Sequence, residues 1–158
     1  MTRTLTSIAV LAFATAPAFA ETVAPTDVVY GEYGEVETSL TGVAGNPAEG
    51  AKIMTTRSLG NCIACHEVTA LKDSPFHGEV GPMLDGVGEY RSAGELRGIV
   101  VNAKQSFEGT VMPAYYKIDG FNRPGDAYTG KAANGALSPL LSAQQIEDVV
   151  AFLLTLKE

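Results

Sequence analysis

Both cysteines of this 158-residue chain, and one of its two histidines, fall within five consecutive positions, Cys62-Ile63-Ala64-Cys65-His66. A chain that commits its only thiols to a single turn must fold around whatever they hold. Cys-x-x-Cys-His is the attachment pattern of c-type haem. The spacing has a chemical reason. Two thiols so placed can each add to a vinyl group of one porphyrin, and the histidine that follows then lies against the iron as its proximal imidazole. Other uses of the thiols explain less. A thioredoxin-like pair expects a βαβ context and does not need His66. A zinc site wants a second Cys/His pair, which the sequence lacks. A structural disulfide leaves the adjacent histidine without a purpose.

The N-terminus fits that reading. Met1-Thr2-Arg3 gives a positive start, residues 8–19 are apolar and rich in alanine, and Ala18-Phe19-Ala20 has the small-x-small form read by signal peptidase. The pattern predicts a signal peptide over residues 1–20, cleaved after Ala20, with Glu21 first in the exported chain. The apolar run is too short to span a bilayer core, and no later stretch is long and apolar enough, so no membrane anchor is expected. For a bacterial c-type haem protein, export means the periplasm, where the thiols must be reserved for haem rather than lost to a disulfide. The formal charge is −7, and losing Arg3 with the leader makes it −8. Two haem propionates would add to that. Such a surface excludes nucleic acid, which is bound through lysine and arginine. It suits a basic face on a partner protein.

The exported chain divides in two. Residues 21–45 show no helical period, with possible extended segments at 28–30 and 36–40. They read either as a flexible arm or as an ordered docking arm. Residues 46–158 carry the helical signals. Asn46-Pro47-Ala48-Glu49 combines a capping asparagine, a first-turn proline and an acid at the capping-box position. It predicts a helix running toward Arg57 that delivers the cysteine motif. Ser92 and Glu95 form a second capping box ahead of Leu96, Ile99 and Val100. Ser142 and Gln145 form a third, followed by Ile146, Val149, Val150, Leu153 and Leu154, one continuous apolar stripe. The expected fold is a small all-α domain with long glycine- and proline-containing loops and an irregular N-terminal extension. It is short of core, and one covalent haem would fill the deficit as a large apolar group.

The iron needs a sixth ligand or is left open. Met54 sits on the helix leading to the motif and reads as core filler. Met83 follows Gly81-Pro82, on a loop bordering the proximal side, and His77 reads as an exposed loop histidine. Met112 comes 46 residues after His66, beyond the middle helix, far enough for the chain to pass round the haem edge. Pro113 stiffens the loop that would hold its sulfur. Spacing therefore favours Met112. Pro82 has no N–H but keeps a carbonyl, which could accept the Nδ1 proton of His66, fixing the ring and raising its basicity. Tyr115 and Tyr116 follow the ligand directly and read as haem-edge, partner-face or packing residues.

Cys62 to His66, Gly81-Pro82, Met112-Pro113 and the aliphatic last helix together resemble a small class I cytochrome c. Asn46-Pro47-Ala48-Glu49-Gly50, Arg57, the stretch from Gly60 to His66, Met112-Pro113-Ala114-Tyr115-Tyr116 and residues 141–154 narrow the likeness. They resemble the SoxX family, the monohaem subunit of the SoxAX cytochromes of bacterial sulfur oxidation. The likeness spans nearly all of the chain after the leader and is weakest over residues 120–136. It implies an electron-accepting subunit of a heteromeric L-cysteine S-thiosulfotransferase. In that family the complex joins thiosulfate to a cysteine of the SoxYZ carrier. The SoxA partner holds the catalytic haem, and SoxX passes electrons to a soluble cytochrome c. The resemblance implies one haem c with His66/Met112 ligation and a chain that is, alone, an electron carrier. A free cytochrome c shuttling between respiratory or photosynthetic complexes is the alternative. A ligand-binding haem sensor would instead need an open iron.

Overall fold

The computed structural model describes residues 21–125 and 129–157, so the expected leader and its cleavage site lie outside the described residues. Four α-helices form: α1 (Pro47–Thr55), α2 (Val87–Tyr90), α3 (Ala93–Asn102) and α4 (Ala143–Leu153). Short 3-10 turns lie at Pro25–Asp27, Cys62–Ala64, Thr69–Leu71 and Ala103–Gln105. Among the described residues the β-structure amounts to one isolated bridge, Gly125 with Ala132, so the architecture is all-α as expected.

Local chemistry starts α3 and α4. The Ser92 hydroxyl accepts from the Glu95 N–H while Glu95 accepts from the Ser92 N–H at 2.8 Å, and Ser142 and Gln145 repeat the arrangement. α1 is capped differently. Asn46 Oδ1 accepts from the N–H groups of Ala48 and Glu49, but the Asn46 N–H donates to Asp148 Oδ1 on α4, at 2.8 Å. Glu49, placed in the box by the sequence pattern, instead reaches Lys52. The second half of the cap is thus tertiary. α1 also stops at Thr55, short of Arg57, because Thr56 turns extended.

α4 crosses α1 and packs on α3. A Cβ at Gly50 would overlap the carbonyl of Asp148, so only glycine lets these two backbones close to contact. Ile146, Val149, Val150 and Leu153 are all buried, and Leu96, Val100 and Val101 of α3 join them.

Residues 21–45 are neither loose nor detached from the core. Val36 and Leu40 are 2% and 1% exposed. The Val36 N–H donates to Gly94 O, and the Leu40 N–H donates to Glu147 Oε1 at 2.7 Å. Arg97 donates to the carbonyls of Val36 and Glu37 and forms a buried ion pair with Glu147, Nε to Oε1 at 2.9 Å and Nη2 to Oε2 at 3.1 Å. Glu147 and Asp148 interrupt the apolar lettering of α4, yet both are buried, because backbone N–H groups of residues 40 and 46 require acceptors there. The segment read as an arm is therefore built onto the chain's own α3 and α4. No buried side-chain nitrogen or oxygen among the described residues lacks a partner.

Removing one member of a buried pair leaves the other charge uncompensated and costs about 3–5 kcal/mol. Arg97→Met is expected to lower unfolding stability by that amount in a guanidinium titration, and deletion of residues 21–45 to unfold or severely destabilise the domain. A truncated protein with the wild-type midpoint would contradict this packing.

Candidate haem site

After α1 the chain turns at Asn61, whose φ of 47° is the left-handed conformation that asparagine tolerates better than most residues. The turn opens into Cys62–Ala64, and the N–H groups of Cys65 and His66 both donate to the Cys62 carbonyl. Three functional side chains thereby line one cavity: Cys62, Cys65 and His66. Cys62 is half-buried and Cys65 exposed. Burial pushes the Cys62 thiol up to about 12, so the thiolate that a redox or zinc site needs is disfavoured at neutral pH.

His66 is held by the loop that follows. Its Nδ1 lies 2.7 Å from Pro82 O. A carbonyl can only accept, so Nδ1 carries the proton and Nε2 keeps its lone pair for a metal. Gly81 donates its N–H to Cys65 O, and a Cβ at this position would overlap the imidazole. Proline and glycine therefore act here through what they lack, an N–H and a side chain.

Met112 lines the same cavity as His66. Its loop is clipped at several points. Lys104 Nζ donates to Met112 O at 2.6 Å, and the Met112 N–H donates to Thr110 Oγ1 at 3.2 Å. The N–H groups of Tyr115 and Tyr116 donate to the carbonyls of Val100 and Val101 in the last turn of α3. Met54 is fully buried and also lines the cavity, in keeping with core filler. Met83 is 49% exposed and does not line it.

One residue, His77, differs from its sequence reading. His77 is half-buried rather than an exposed loop residue. Its Nδ1 accepts from the Val68 N–H at 3.2 Å and its Nε2 lies 3.1 Å from Leu71 O, so both nitrogens brace the loop after the cysteine motif and neither is free for a metal. The signal in the sequence was faint, because its partners are backbone groups. Tyr115 and Tyr116 also part company. Tyr115 lines the cavity and donates its hydroxyl to Gly60 O at 2.9 Å, and burial raises its pKa. Tyr116 is not on the cavity wall; its hydroxyl donates to Val23 O at 2.7 Å, tying down the N-terminal segment.

The cavity measures about 490 Å³, within the range of about 300–1,000 Å³ usual for cofactor pockets. Every α-helix contributes apolar wall: Met54 from α1, Val87 from α2, Ile99 and Val100 from α3, Val149 and Leu153 from α4. Among the described residues no cluster of three or more His, Cys, Asp or Glu could hold a bare metal ion. One imidazole with a free Nε2, two thiols and the thioethers of Met112 and buried Met54 around an apolar void fit a porphyrin that brings its own four nitrogen ligands. These features define a small helical protein built to enclose a covalently attached haem.

The known proteins agree. Residues 47–157 match the cytochrome c family. The crystal structure of SoxXA from P. pantotrophus contains a chain that matches with a TM-score of 0.82 and 61% identity, over 85% of this chain and 98% of that one. The c-type cytochrome SorU from Sinorhizobium meliloti matches with a TM-score of 0.44 and 23% identity, over 70% of this chain and 90% of that one. No curated protein matches. The chain belongs to the cytochrome c family and, within it, to the SoxX group.

Gly81→Ala forces the His66 ring or its loop to move, and overpacking of this kind costs about 1–3 kcal/mol. The expected result is a lower denaturation midpoint with unchanged denaturant slope. Wild-type stability would mean that the loop has more room than the geometry allows.

Proposed function

We propose that this chain is the electron-accepting monohaem subunit of a periplasmic complex with a SoxA-type cytochrome. The complex oxidatively attaches thiosulfate to a cysteine of the SoxYZ carrier and passes the electrons to a soluble cytochrome c. The observation that carries the reading is the convergence of Cys62, Cys65, His66 and Met112 on one apolar cavity, in a chain 61% identical to one in the SoxXA crystal structure. In this reading residues 1–20 direct export and are cleaved after Ala20. Residues 46–158 form the cytochrome domain, and residues 21–45 are an extension wrapped onto it.

Cys62 and Cys65 would hold the haem through thioether bonds, and His66 and Met112 would ligate its iron. The haem supplies a one-electron store. The chain's residues decide how that store behaves. The Pro82 carbonyl, accepting the Nδ1 proton, fixes the His66 ring and raises the basicity of Nε2. The Met112 thioether favours the reduced state and so a higher potential. With both side chains ligating, the iron would have no site open to oxygen or substrate, and the apolar walls would keep water out. Exposed Cys65, with Val80 and Val111 on the cavity rim, marks where the cofactor edge comes nearest to a partner. Both cysteines are consumed in attachment, so no thiol remains for sulfur chemistry, which falls to the partner. Alone, the chain is an electron carrier.

Mixing the exported protein with a SoxA-type cytochrome is expected to give a stable heterodimer on gel filtration. Thiosulfate with SoxYZ should then reduce this chain's haem only when that partner is present. No association, together with efficient electron delivery to a terminal oxidase, would favour the free shuttle.

A further inference from the structure

The loop that carries Met112 is fixed at both ends. At its start the Phe107 N–H donates to Ala103 O, and at its end the Tyr115 N–H donates to Val100 O. Between those anchors, among the described residues, the hydrogen bonds are local, Thr110 N–H to Phe107 O and Met112 N–H to Thr110 Oγ1, with one exception. Lys104 Nζ donates to Met112 O at 2.6 Å and so ties the middle of the loop to the turn that follows α3. The side chains that flank Met112 add little packing. Val111 is 81% exposed and Pro113 is exposed, while Gly109, at φ 78°, has no neighbour that a Cβ would touch. The root of the lysine is itself fixed, since its N–H donates to Oδ1 of buried Asn102 at 3.3 Å. Among the described residues no carboxylate pairs with the ammonium, so nothing competes with the carbonyl for it.

The axial role proposed for Met112 asks that its sulfur stay at one place in the cavity it lines. A thioether carries no charge to draw it to a metal, so the backbone must supply the position, and partners outside a ligand commonly fix it in this way. A hydrogen bond from a charged donor is roughly twice as strong as a neutral one. We infer that Lys104 is the positioning residue for Met112. By holding the Met112 carbonyl, its ammonium keeps the thioether in the cavity and denies that place to small external bases. This rests on the covalent-haem and Met112 readings above. Without the clip, the loop between Phe107 and Tyr115 opens more often, and each opening exposes the iron and forfeits the potential that the thioether sets. A surface lysine that touches neither iron nor partner thus guards the chain's use as an electron carrier.

The test mixes the ferric exported holoprotein with imidazole and follows the loss of the weak red band of methionine-ligated haem. At high imidazole the rate stops rising with concentration and reports how often the Met112 loop opens. Wild type is compared with Lys104→Leu, which keeps the stem without the donor, with Lys104→Arg, which keeps charge and donor, and with Lys52→Leu, which removes a lysine of α1 that is paired with Glu49. Lys104→Ala replaces the leucine variant if that one does not accumulate. Losing the charged donor should raise the limiting rate about tenfold. Lys104→Arg should stay near wild type, as should Lys52→Leu. The guanidinium midpoints should hold in all of them, as for other surface substitutions. A wild-type rate in Lys104→Leu would overturn the inference, as would an equal rise in Lys52→Leu or a rise that only accompanies a fallen midpoint. A wild-type protein without the red band, or a band that survives Met112→Ala, would overturn the Met112 reading itself and this inference with it.

Discussion

The helices of this domain pack on one another and still leave an apolar void between them, and that constraint governs the rest. The wall built from α1, α2, α3 and α4 encloses about 490 Å³ of apolar space. An empty cavity of that kind forfeits both dispersion contacts and the gain from excluding water. The occupant must therefore be large, apolar and permanently held. The two cysteines at the cavity wall meet the last requirement, since a covalent bond does not depend on the protein's affinity for its ligand. Placing His66 in the same turn would tie the proposed attachment to the proposed ligation, so a shift of the turn would disturb both.

A fold with so large a share of its interior assigned to a cofactor needs other sources of rigidity. The structure supplies them through polar clips between distant segments. Glu147 accepts from Arg97 and from the Leu40 N–H, Asp148 accepts from the Asn46 N–H, and Gly50 lets α1 and α4 approach to backbone contact. Buried hydrogen bonds to charged groups contribute about 1.5–3 kcal/mol each, more than neutral ones. They also specify geometry. The N-terminal segment, α3 and α4 all converge on the Arg97–Glu147 pair, on the side of α3 away from Ile99 and the cavity. One face of α3 thus anchors the scaffold while the other presents the cofactor wall.

The legible parts of this chain were those decided within a few residues. The Ser92/Glu95 and Ser142/Gln145 boxes, the apolar stripe of α4 and the cysteine turn depend on neighbours three or four positions away, and the structure holds each of them. The illegible parts depend on partners far along the chain. Residues 21–45 have no period of their own and are ordered by contacts with Gly94, Arg97 and Glu147. Glu147 and Asp148 are buried on α4 because backbone N–H groups of Leu40 and Asn46, far back along the chain, donate to them. His77 read as an exposed loop histidine for a related reason: its partners are backbone groups, which leave no spacing in the sequence.

The central claim is the proposal that His66 and Met112, and not Met83, would ligate the haem iron. The most direct measurement is the weak red absorption band of methionine-ligated ferric haem, recorded on the exported protein and on Met112→Ala and Met83→Ala. The account predicts that Met112→Ala abolishes the band and lowers the potential, because the thioether that favours ferrous iron is gone. Met83→Ala should leave both as in wild type. A band that survives Met112→Ala and vanishes in Met83→Ala would contradict the assignment and move the axial ligand to the loop after Pro82.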